Sequence, residues 1–173
     1  MSMHPNLEGA FQHQDVLKVI SGLNNFDRAK VFQVIKAASA GGATFVDIAA
    51  DAALVKMAKD IASLPVCVSA VEPDAFVPCV EAGADLIEIG NFDTFYAQGR
   101  RFEAAEVLAL TQQTRHLLPT ITLSVTVPHI LPLDEQVELA MQLLEAGADI
   151  IQTEGGTSST PIPKPSAAAP EVL

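Results

Sequence analysis

The stretch "EAGADLIEIG", residues 81–90, decides the fold. Its first half closes a helix, because Gly83 can take the left-handed conformation that ends one, and the alanines beside it let helix and strand approach closely. Its second half alternates, with Ile87 and Ile89 on one face of a strand and Glu88 on the other. The phrase "EAGAD" returns at 145–149, and a looser relative, "SAGGA", stands at 39–43. Before the second copy, "LDEQVELAMQLLEAG" places Leu133, Val137, Met141 and Leu144 at helical spacing. Asp134, Glu135 and Glu138 come early in it, where they complement the helix dipole. After it, "DIIQTEGG" is too short for a helix and rich in β-branched residues. The phrase therefore marks a hinge from helix to buried strand.

Reading outward gives strands at 16–21, 44–49, 65–70, 86–90, 120–127 and 149–153. Helices fall at about 27–40, 52–63, 74–82, 103–117 and 133–146. This alternation predicts a parallel sheet, since each helix carries the chain back to the edge it left. A doubly wound open sheet and a (β/α)8 barrel share the pattern. In the open sheet the central strands are covered on both faces and run continuously apolar. Here they alternate. Leu17 and Val19, Val46 and Ile48, Val66 and Val68, Ile87 and Ile89, and Ile121, Leu123 and Val125 form one apolar set. Lys18, Asp47, Cys67, Ser69, Glu88, Thr122, Ser124, Gln152 and Glu154 form the other. A barrel accommodates both, with helices outside and polar groups within. The expected class is α/β, a TIM barrel.

The 173 residues fit one domain, and a hydrophobic share of 49% supports a sizeable core. A net charge of −11 argues against binding a nucleic-acid backbone or an anionic membrane, and leaves room for a small-molecule ligand. Cys67 and Cys79 form no CxxC pair and the histidines are scattered, so neither a disulfide framework nor a zinc site is expected. The opening "MSMHPNLEGAFQHQD" lacks a signal-peptide core, and no run approaches the ~18 apolar residues of a membrane span. The chain reads as a cytoplasmic protein with a lead-in at 1–15, a barrel domain at 16–156 and a disordered tail or linker at 157–173.

Lys18 is the sharpest candidate. A lysine inside a barrel can lose its proton by desolvation and form a Schiff base, or it can simply pair with Asp47 on the next strand. Asp47 and Glu88 point inward at mid-strand, as general base and acid or as counter-charges to Lys18. No tight oxygen motif supplies a metal site, GxxxxGK[ST] and GxGxxG are both missing, and the residues leave any cofactor unknown. Active sites of this fold gather at the carboxyl ends of the strands. Asn24, Asn91, Gln152 and Glu154 fall there as candidate ligand contacts, with Gly155 and Gly156 offering backbone N–H groups to an anion. Asp27 and Asp51 read as helix N-caps, and His129, after Pro128, as an exposed loop residue.

The segments "LKVISGLNNFD" (17–27), "ATFVDIAAD" (43–51), "EAGADLIEIGNFD" (81–93) and "DIIQTEGGTSS" (149–159) resemble the hypothetical chloroplast reading frame 23 family of cyanobacteria and algal plastids. The resemblance implies an aldolase-type TIM barrel in the cyanobacterial cytoplasm or the plastid stroma. It supplies neither a reaction nor catalytic residues. A TIM barrel has eight strands and typically ~250 residues. With six strands read here, the barrel is expected to be truncated, its first and last strands open to a homo-oligomeric partner. Two readings follow. One is an aldolase-type enzyme acting on a small polar or phosphorylated metabolite through Lys18, Asp47 and Glu88. The other is a non-catalytic binding or interaction module, or an inactive truncated product.

Overall fold

The computed structural model describes residues 5–154. The elements run α1 Pro5–His13, β1 Lys18–Ile20, α2 Arg28–Ala40, β2 Phe45–Ala49, α3 Ala52–Ile61, β3 Val66–Ala70, α4 Phe76–Glu81, β4 Leu86–Ile89, α5 Asp93–Tyr96, α6 Ala104–Leu117, β5 Thr122–Val127, α7 Leu133–Glu145 and β6 Ile150–Thr153. A 3-10 turn, Pro73–Ala75, leads into α4. The strands form one parallel sheet in the order β1-β2-β3-β4-β5-β6. No strand reverses the order, so the doubly wound alternative is excluded, and the six βα units form a half-barrel. Among the described residues no helix is long and apolar enough to cross a membrane.

The two faces of the sheet differ as the alternation requires. Val46, Ile48, Val66, Val68, Ile87, Ile89, Leu123 and Val125 are buried with helix residues such as Val31, Ile35, Leu54 and Leu139 in the main core. The inner face is layered. Phe45, Cys67 and Leu86 make an apolar lower layer with Leu7 of α1. Directly above, Asp47, Ser69, Glu88 and Ser124 make a buried polar layer. The stretch expected as a polar lead-in thus forms a helix, whose Leu7 is fully buried against the lower layer.

The recurring phrase has one structural meaning. Gly83 and Gly147 end α4 and α7 with φ near +105° and +100°, and Gly42 does the same beyond α2 at +74°. Two residues later the chain latches onto the preceding strand. Val66 N–H donates to Asp85 Oδ2 at 2.8 Å, and Asp85 N–H donates to Val66 O at 2.9 Å. Asp149 makes the same pair with Leu123, both bonds at 2.8 Å. Thr44 makes it with Leu17, at 2.9 Å through Oγ1 and 2.8 Å through its N–H. Asp27 and Asp51 cap α2 and α3 by accepting two backbone N–H bonds each.

The stripe of Leu133, Val137, Met141 and Leu144 is not the packed face of α7: these residues are 80%, 64%, 62% and 54% exposed. The helix packs on the sheet and α6 through Leu139 and Leu143 instead, so helical spacing marked an apolar face but not the one turned inward.

Candidate active site

Lys18, Asp47 and Glu88 converge inside the half-barrel. Lys18 enters from the lower layer, and its flexible stem lifts Nζ into the polar layer. There it stands 3.0 Å from Asp47 Oδ2 and 2.6 Å from Glu88 Oε2. A third contact goes to Gln152 Oε1 on β6 at 3.1 Å. Side chains from neighbouring strands hold the two carboxylates. Ser69 Oγ donates to Asp47 Oδ1 at 2.6 Å, Ser124 Oγ to Glu88 Oε2 at 3.0 Å, and Gln152 Nε2 to Glu88 Oε1 at 3.4 Å. Asn91 Nδ2 reaches Asp47 Oδ2 at 3.4 Å.

The charges of this cluster depend on one another. Burial alone would favour a neutral Lys18, but Asp47 and then Glu88 outweigh it, and the lysine pKa is raised. Lys18 is therefore an ammonium at neutral pH and not a free nucleophile. Burial pushes Glu88 above the ordinary carboxylate range, Lys18 opposes the shift, and Asp47 reinforces it. Beneath them Cys67 is buried and its thiol is pushed well up, first by burial and then by Asp47 and Glu88, so it stays protonated. A cavity of about 210 Å³ adjoins the cluster, lined by Lys18, Glu88, Ser124 and Gln152 on its polar side and by Phe45 and Leu86 on its apolar side.

Gly90 ends β4 at the top of this wall. A Cβ placed there would lie 2.8 Å from Thr126 Cβ and closer still to Thr126 Oγ1. Thr126 Oγ1 is buried without a hydrogen-bond partner among the described residues, so removing the hydroxyl breaks no hydrogen bond. Gly90→Ala is expected to cost about 1–3 kcal/mol through overpacking. Adding Thr126→Ala should recover most of that loss in urea unfolding; an unchanged deficit in the double variant would place the strain elsewhere.

Other candidates fall at the rim. Asn24 is exposed and lines a separate cavity above β1–β3, away from Lys18. Glu154 is held by four donors: Asp93 N–H at 3.1 Å, Tyr96 OH at 3.0 Å, His129 N–H at 3.2 Å and His129 Nδ1 at 2.9 Å. It staples the loops after β4 and β5 to the end of β6. His129 is thus not the exposed loop residue expected, but a partly buried one packed edge-on to Tyr96. Gly155 and Gly156, like the tail at 157–173, lie outside the described residues.

Among the described residues, two groups bring three metal-ligating atoms within 4.8 Å of one another: Asp47, Cys67 and Glu88, and Asp93, His129 and Glu154. In the first, the Lys18 ammonium already stands between the two carboxylates, where a metal ion would have to sit. In the second, a cation would have to displace the His129 Nδ1 contact on Glu154. That trio comes from the start of α5, the loop after β5 and the residue after β6, which no sequence spacing could reveal.

The family described as "Protein of unknown function (DUF561)" matches residues 2–169. A Cyanophora paradoxa protein named "Uncharacterized protein ycf23" is 51% identical over 154 residues, covering 88% of this chain and 63% of the relative. A Pyropia yezoensis protein of the same name is 43% identical over 159 residues, covering 92% of this chain and 58% of the relative. The chain therefore spans less than two thirds of the length of these relatives. Among solved structures, "QR15, an Aldolase" matches with a TM-score of 0.60 at 19% identity, over 85% of this chain and 69% of that one. Deoxyribose phosphate aldolase from Aeropyrum pernix matches with a TM-score of 0.59 at 15% identity, over 80% and 62%. At such identities the likeness is one of fold, that of the aldolase-type TIM barrel.

Proposed function

The chain belongs to the DUF561 family, whose matched relatives are named ycf23, and we propose that it carries the acid–base centre of an aldolase-type enzyme acting on a small polar carbonyl compound. The observation that carries this reading is one ammonium between two buried carboxylates on the inner face of a half-barrel. Glu88 takes the proton from the carbon beside the substrate carbonyl. The electron pair moves into the carbonyl, and Lys18 stabilises the resulting enolate oxygen by charge and hydrogen bond. Returning the proton regenerates the carbonyl and Glu88. The substrate oxygen takes the place of Gln152 Oε1, the longest of the three contacts on Nζ. Asp47, held by Ser69, fixes the ammonium in position. The protein works in the cytoplasm, or in the stroma where the gene is plastid-borne.

A specific observation favours a second reading, a non-catalytic binding module. Lys18 already donates to Glu88 and Gln152 and pairs with Asp47, so its ammonium is fully engaged within the protein. Proton exchange separates the two. The folded protein would be incubated in heavy water with a panel of small 2-oxo acids, hydroxy ketones and their phosphate esters, and α-proton loss followed by NMR. The acid–base reading expects exchange with at least one member, reduced by about 10²–10⁴-fold in Glu88→Gln. No exchange with any member leaves the binding module. Borohydride reduction with mass analysis runs alongside; no adduct at Lys18 is expected, because the raised pKa keeps the amine protonated.

A further inference from the structure

At the rim above β1, β2 and β3 lies a second cavity, of about 250 Å³. No residue of β6 or α7 lines it; Leu23, Asn24 and Phe26 come from the loop after β1, one edge of the sheet, and the rest from the units of β2, β3 and β4. Leu23, Phe26, Val71 and Phe95 give it apolar walls. Phe26 is 57% exposed, an aromatic wall left uncovered at the loop after β1. The polar exceptions sit apart. Ser69 is buried, and its Oγ donates to Asp47 at 2.6 Å, so a ligand touching Ser69 stands one side chain away from the ionic cluster. Arg100 is exposed, yet its guanidinium is held in place, 4.4 Å from the centroid of Phe102 and 5.7 Å from that of Phe95. Its bond to Glu106, at 2.9 Å, is a solvent-exposed ion pair and weakly held. Glu72 also lines the cavity and would repel an anion beside it, which leaves the Arg100 end as the place for negative charge.

We propose that this cavity binds the apolar body of a small amphipathic anion, with its carboxylate, sulfonate or phosphate on Arg100. A fully hydroxylated sugar phosphate would set most of its hydroxyls against Leu23, Phe26, Val71 and Phe95, with Asn24, Ser69 and Glu72 alone to replace the hydrogen bonds lost to water. An apolar body releases water from the same walls, Phe26 above all. The guanidinium, already flattened against aromatic rings, offers its edge to a planar or tetrahedral anion at little further ordering cost. This cavity is separate from the one beside Lys18, and the binding stands without the acid–base reading.

The probes are 8-anilinonaphthalene-1-sulfonate and its uncharged analogue N-phenyl-1-naphthylamine, followed by fluorescence. One saturable site is expected, with the sulfonate bound about tenfold more tightly than the neutral probe, the worth of one charge-assisted hydrogen bond. Arg100→Gln should bring the two probes to within about threefold of each other. Ala75→Trp, which fills the cavity, should abolish binding of both. Should that variant fail to fold, Phe26→Ala, at an exposed position, should still weaken both probes several-fold. Val137→Lys with Met141→Lys, on the exposed stripe of α7, should leave both affinities unchanged. Loss of binding in the α7 variant, survival of full binding in Phe26→Ala, or equal affinity of the two probes in the parent chain would each overturn the proposal. Probe binding and proton exchange are read separately, so intact binding without exchange sinks only the acid–base reading.

Discussion

Replacing Lys18 by methionine destabilises the chain by about 3–5 kcal/mol at about pH 7, the cost of removing one partner from a buried ion pair. Methionine preserves the length and packing of the stem, so the loss measures charge and not volume. It strands Asp47 and Glu88 together, each almost fully buried, with only Ser69, Ser124 and the amides of Asn91 and Gln152 to offset their charge. Glu88 gives the loss a pH signature. Its folded pKa is already raised by burial, and removing Lys18 takes away the largest influence opposing that rise. A carboxyl with a raised folded pKa contributes stability that is full below its unfolded value, about 4.3, and is lost as pH rises through the folded value. The variant's deficit should therefore shrink between about pH 7 and about pH 5, where Glu88 takes up its proton early. Urea unfolding at both pH values checks this. A methionine variant at least as stable as the parent at neutral pH would mean the cluster is held by something other than the ammonium.

Arg115→Ala is expected to cost about 2–4 kcal/mol, more than any other single ion-pair truncation outside the interior cluster. Arg115 extends from α6 and ties three backbone segments together. Nε and Nη2 donate to Gly147 O at 3.0 and 2.6 Å, and Nη1 donates to Leu118 O at 3.2 Å and to Ile121 O at 2.8 Å. Nη2 also meets Asp149 Oδ2 at 2.8 Å, the oxygen that accepts the Leu123 N–H. Truncation leaves carbonyls at the end of α7 and before β5 without their donor, and loosens the Asp149 latch. Lys59→Ala is the control. Lys59 pairs with Asp85 at 2.8 Å in the matching position, but it is more exposed and bonds no carbonyl, so its removal should cost under about 1 kcal/mol. Equal losses at the two positions in urea unfolding would show that the carbonyl bonds contribute nothing.

The half-barrel was legible where a pattern repeats along the chain. Ile87, Glu88 and Ile89 alternate, five strands follow the same parity, and that parity puts Lys18, Asp47 and Glu88 on one inner face. Gln152 was legible as an inward rim residue, but not as the third ligand of the ammonium, because that contact crosses from β6 to β1 and depends on how far the sheet curls. The binding mode of Arg115 left no trace in the sequence, since backbone carbonyls carry no residue signature. Helix α1 is short and buries a single leucine completely, too little for periodicity to register. The stripe on α7 located the helix but not its packed side: spacing reports which residues share a face, while the position of the sheet decides which face is covered.

The three latches at Thr44, Asp85 and Asp149 bear on how the protein emerges from the ribosome. Each fastens a new strand to the one made just before it, and none waits for a distant part of the chain. Every strand in the sheet likewise pairs with its predecessor in the chain. Loop closures of that length are inexpensive and fast. The nascent polypeptide can thus dock each βα unit as it clears the exit tunnel, at the ~5–20 residues per second of synthesis. Translation and sheet growth advance in the same direction, and a pause between units leaves a fastened edge behind it instead of a loose strand.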